Sequence, residues 1–113
     1  MARAKIITDG DGAFYGIKVL CPGCQIGAHI LPVDWTPEGM QRSKHVNGSR
    51  PVWGFNGDLE RPTLSPSILG RTTWGEERVP LVCHSFVRDG RIEFLADCTH
   101  MLAGQTVDLP EIT

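Results

Sequence analysis

Apolar and polar residues alternate along this chain in short bursts. KIIT, AFYGIKVL and AHILPV carry apolar side chains in brief runs or at every second position, the pattern of half-buried strands. Asp9-Gly10-Asp11-Gly12 separates the first two, and the Cys21-Pro-Gly-Cys24 turn separates the next two. The stretch from Thr36 to Pro51 is polar and rich in turn residues, and is expected to be a mobile loop. VWGF and SIL read as further short strands, with RTTWGEERVP as a connection. LVCHSFV and RIEFLAD then flank Asp89-Gly90, a strong hairpin signal. QTVDL supplies a last strand, and a single helical turn is expected near CTHMLAG, ended by Gly104.

Thirteen glycines and eight prolines in 113 residues oppose long helices. The pattern therefore predicts a mainly β fold: one small domain over residues 1–113, a rolled sheet or barrel-like arrangement with little helix. A net charge of -2 gives no electrostatic case for nucleic acid or an anionic membrane. No apolar run approaches the roughly 20 residues of a membrane helix, and MARAKIITDGDG lacks a signal-peptide core. A cytoplasmic setting is expected, in which four cysteines read better as metal ligands or reactive thiols than as disulfides.

The hairpin CHSFVRDGRIEFLADCTH gathers Cys83, His84, Asp97, Cys98 and His100 at its mouth. With a two-residue turn, Val87 faces Ile92 and Cys83 faces Ala96, so Cys83 and Cys98 become diagonal neighbours on one face and His84 and Asp97 on the other. A three-residue turn with a bulge at Gly90 would instead join His84 with Cys98 and Cys83 with Asp97. In CPGC, Pro22 and Gly23 bend the backbone so that two sulfurs converge, half of a structural zinc site. The expected ligand set is Cys21, Cys24, Cys83 and Cys98, with His29 as a spare ligand or plain strand residue. The bland alternative is a pair of small buried cysteines and an ordinary turn.

If thiols take the zinc, His84, His100 and Asp97 are left for chemistry, while His45 reads as a surface residue. The Pro-stiffened RPTLSPSIL offers Thr63, Ser65 and Ser67. A serine beside an imidazole oriented by a carboxylate is the logic of acyl transfer. These hydroxyls could equally cap backbone groups in turns.

Trp53 with Phe55-Asn56-Gly57, Pro62-Thr63, Pro66-Ser67 and CHSFVRDGRIEFLADCTHMLAGQTVDLP together resemble a family of small phage and bacterial domains that includes BubE, a branch associated with bacterial ubiquitin-like conjugation operons. The likeness runs from about Cys21 to Pro110. It implies a zinc-bearing β domain with peptidase-like residues at Ser67, Cys83-His84 and Asp97 to His100. The leading expectation is accordingly a zinc-stabilised serine-type peptidase or isopeptidase acting on a protein, a ubiquitin-like one among the candidates. Ser67 would be the nucleophile with Ser65 as fallback, His84 the base and Asp97 its orienter, and His100 could replace His84 or a zinc ligand. A hydrolase with a catalytic metal is one alternative. A non-enzymatic zinc-stapled binding module of phage origin, anchored by Trp35, Trp53 or Trp74, is the other.

Overall fold

The computed structural model describes residues 2–23, 27–46 and 51–112, with only the backbone of Trp74. The described residues form eight strands and no helix: β1 (Ala4–Thr8), β2 (Phe14–Leu20), β3 (Ala28–Leu31), β4 (Gly54–Phe55), β5 (Leu64–Trp74), β6 (Val79–Arg88), β7 (Arg91–Phe94) and β8 (Thr106–Asp108). The mainly β expectation holds, and the strands divide between two antiparallel sheets, β1-β2-β3 and β4-β5-β6-β7-β8. Two hydrogen bonds, Trp53 N–H to Pro32 O and Asp34 N–H to Trp53 O, join the end of the first sheet to the approach to β4.

Alternation decides which faces meet. Phe14, Ile17 and Val19 of β2, Leu64 and Ile68 of β5, Val87 of β6, and Ile92 and Phe94 of β7 are all buried in one cluster. Each such side chain contributes about 1.5–3 kcal/mol by leaving water. Glycine is required within β2 at Gly16, where a Cβ would stand 2.2 Å from the Leu31 carbonyl oxygen. Residues 41–43 of the expected mobile loop are pinned to β2: Phe14 N–H donates to Gln41 O, and Ser43 N–H to Phe14 O. Ser43 is buried there and donates its hydroxyl to Asp9.

The β6–β7 hairpin turns on two residues, Asp89 at φ 50° and Gly90 at φ 76°. Both lie in the left-handed region that a type I′ turn demands. Val87 pairs with Ile92, and the ladder ends at Ser85–Phe94. Three local expectations do not hold. RTTWGEERVP is not a connection: Arg71–Trp74 pair with Val79–Val82, and the reversal is confined to Gly75–Arg78, closed by Arg78 N–H to Gly75 O. RIEFLAD is a strand only to Phe94; the chain then folds back in a turn closed by Cys98 N–H to Leu95 O. CTHMLAG makes isolated turns, with Ala103 N–H donating to His100 O and Gln105 N–H to Leu102 O. So short a segment gains too few bonds to offset helix nucleation.

Candidate active site

β5 and β6 bring a serine and a histidine together through an irregularity in their ladder. Leu64 pairs with Val87 and Ile68 with Ser85, so Ser65, Pro66 and Ser67 all stand opposite Phe86. Such a bulge releases the strand from regular pairing and re-aims its side chains. It is also where a strand tolerates a proline. Ser67 emerges on the face of His84, with its Oγ 3.0 Å from His84 Nε2. The Trp53 indole N–H donates to the Ser67 carbonyl at 3.3 Å and holds the bulge from the other side.

His84 Nδ1 lies 3.0 Å from Asp97 Oδ2 and 3.3 Å from Oδ1. Asp97 arrives by the turn after Phe94, not as a diagonal strand neighbour. The side chains of His84 and Asp97 are 24% and 51% exposed, so the pair stands on open surface where a large substrate can reach it. Carboxylate, imidazole and hydroxyl thus form an unbroken hydrogen-bonded line. With the imidazole proton on Nδ1, Nε2 can accept the Ser67 proton, the requirement of nucleophilic acyl transfer.

Cys98 holds the histidine by its backbone. Its sulfur accepts the His84 N–H at 3.2 Å and donates to the His84 carbonyl at 3.1 Å. Leu95 N–H donates to the same carbonyl at 2.9 Å. This clamp, and the Trp53 tie to Ser67, were not anticipated from the residues. Pro66 within a strand pattern was the available sign of a bulge.

The opposite face of β6 carries the thiol chemistry. Cys83 Sγ lies 3.6 Å from Cys21 Sγ and 4.0 Å from His29 Nε2. The three candidate ligand atoms all fall within 4.8 Å of one another. Zinc–sulfur bonds of about 2.3 Å place tetrahedral sulfurs about 3.8 Å apart, so this group fits a zinc-sized ion. Burial, with the Cys98 thiol alongside, pushes the Cys83 thiol up to about 12. It is therefore no nucleophile at neutral pH unless a cation stabilises the thiolate. Burial lowers His29 below its ordinary value, which favours the neutral imidazole that a metal needs. Cys21 is disulfide-bonded and can ligate only once reduced. Of the expected ligand set, Cys21 and Cys83 meet, Cys98 lies beside Cys83, and Cys24 lies outside the described residues. His29 joins them.

Ser65 pairs with Gly54, its hydroxyl close against that glycine, with no hydrogen bond to His84 among the described residues. His100 packs edge-on against Phe94 at 4.5 Å and accepts Leu102 N–H at Nδ1, while its Nε2 is buried without a partner. Together with Gly23, His29 and Cys83 it lines an apolar cavity of about 170 Å³, on the thiol side of β6 and away from Ser67. Neither described tryptophan side chain stands free as an anchor. Trp35 packs between Phe14 and Phe55 at 5.7 and 5.1 Å, and Trp53 holds Ser67. No helix among the described residues is long and apolar enough to cross a membrane.

A family described as bacterial ubiquitination-like system serine protease (BubE) matches residues 2–95. The match takes in Ser67 and His84 and ends just short of Asp97. No curated protein and no solved structure matches the chain.

Proposed function

Because this chain belongs to the BubE family of bacterial ubiquitination-like system serine proteases, we propose that Ser67 is its nucleophile, His84 its general base and Asp97 the residue that orients the base. The observation that carries this reading is the continuous line from Asp97 Oδ2 through both imidazole nitrogens to Ser67 Oγ, with 3.0 Å at each junction. Ser67 Oγ bonds to the scissile carbonyl carbon as its proton passes to His84 Nε2. The imidazolium, held by Asp97, gives that proton to the leaving amine as the C–N bond breaks. A water then attacks the acyl-serine, losing a proton to His84, and Ser67 recovers its proton as the acid is released. The substrate is a protein, with a ubiquitin-like protein the first to try.

Once Cys21 is reduced, Cys21, His29 and Cys83 would hold zinc as a structural staple in this reading. Cys83 faces the side of β6 turned away from Ser67, so such an ion would take no part in the steps above. Exposure to an alkyl fluorophosphonate tests the nucleophile, since Ser67 Oγ would displace fluoride from phosphorus. The adduct should map to Ser67 and vanish in His84→Ala. An unlabelled wild-type protein, or an adduct on another residue, would overturn the assignment.

A further inference from the structure

β5 runs to Trp74, but its partner β4 covers only Leu64 and Ser65. β4 stops because Trp53 commits its own N–H to the Pro32 carbonyl and its C=O to the Asp34 N–H. Beyond Ser67, one side of β5 has no strand partner among the described residues.

The direction of the backbone groups on that side follows from β6. His84 N–H donates to Cys98 Sγ and His84 O accepts Leu95 N–H, both away from β5. Its ladder partner Leu69 is therefore in a non-hydrogen-bonded pair and turns its own N–H and C=O outward. The same holds one step on. Val82 N–H donates to Thr99 Oγ1 and Val82 O accepts Thr99 N–H, so Arg71, opposite Val82, also faces its backbone outward. Both residues are exposed, Leu69 at 46%. An open strand edge of this kind is a template for another extended chain.

We propose that the substrate binds as an added β-strand along this edge, its main chain paired with Leu69 and Arg71, which delivers the scissile bond to Ser67 on the same strand. The proposal rests on the serine-hydrolase reading above. The partner it implies is an extended, unstructured polypeptide segment, because a folded loop cannot offer main-chain groups at strand spacing. Leu69 shares the outer face with His84, so an apolar substrate side chain is favoured beside it.

The test uses the wild-type protein and two kinds of probe. An alkyl fluorophosphonate reports the triad alone. An acetyl-pentaalanyl diphenyl phosphonate, which forms the Ser67 Oγ–P bond with loss of phenol, reports the triad and the edge together. Single N-methyl groups are then placed on successive amides of the peptide probe. Amides of one parity should lose about fivefold in labelling rate for each hydrogen bond removed, while those of the other parity stay within twofold. Equal effects at all positions, with the alkyl probe still labelling Ser67, would overturn the strand model alone. Failure of the alkyl probe would remove the hydrolase reading and this proposal with it. A stable dimer in sedimentation without alternation would assign the edge to a second copy of the chain and also overturn it.

Discussion

Cys83 and His84 are consecutive residues of β6 that serve opposite faces of one sheet. Cys83 points inward to Cys21 and His29, and His84 outward to Ser67 and Asp97. Strand alternation thus separates a candidate staple from a candidate triad by a single peptide unit. The two can be tested independently.

Ser67→Ala and His84→Ala should each lower turnover of a cleavable protein substrate by at least about 1,000-fold, and the double variant should be no worse, because the residues act as a unit. Asp97→Asn should retain more activity than either, since Asp97 orients the base without taking the proton. Circular dichroism and thermal melts should match wild type. Additive losses in the double variant would argue against a shared mechanism.

Protein purified under reducing conditions should carry about one zinc per chain, and chelation should lower the melting temperature, because the ion ties Cys21 to Cys83 across a long loop. Cys83→Ser and His29→Ala should reduce zinc content, whereas Ser67→Ala should not. Full zinc occupancy in the Cys83 and His29 variants would dissolve this ligand set.

Trp53→Phe keeps the ring but deletes the N–H that reaches Ser67 O. A single lost hydrogen bond of about 1 kcal/mol should appear mainly as a roughly fivefold fall in kcat, with KM little changed. If kcat is unaffected while stability falls, Trp53 is a packing residue only.

Gly16→Ala should be strongly destabilising, by about 1–3 kcal/mol or more, because the new methyl meets the Leu31 backbone. Gly10→Ala meets nothing within 4 Å and should be near neutral. Urea midpoints compare the two, and equal midpoints would show that β2 and β3 can separate at no cost.

The Asp9 carboxyl sits below its ordinary value, chiefly through the Ser43 hydroxyl and then the Ala13 and Asp11 amides. A depressed folded value means the contribution is present above the unfolded pKa and lost as pH falls through the folded one. The melting-temperature gap between wild type and Asp9→Asn should therefore close in acid, below the usual carboxylate range. Ser43→Ala should expose the loop, seen as faster tryptic cleavage after Arg42 or Lys44. A gap that widens in acid would contradict this linkage.

The hairpin at Asp89-Gly90 was legible because its cause is local: two adjacent residues that tolerate positive φ fix the turn, and the turn fixes the register of everything before Phe94. Period-two alternation likewise located β1, β2, β3 and β8, and the crowding of Cys83, His84, Asp97 and Cys98 at one hairpin mouth pointed to the candidate site. What the chain does beyond Phe94 was not legible. Leu95 leaves the ladder because its amide and that of Thr99 find partners on β6, at His84 and Val82, a choice made across the fold. The bulge that turns Ser67 toward His84 depends on Trp53 and on the β5–β6 pairing, and His29 reaches Cys83 only because two sheets pack together. Short-range order in this protein follows from backbone preference and hydrophobic period. The meeting of its functional side chains follows from contacts between residues far apart in sequence, whose loop-closure cost is offset only by the completed core.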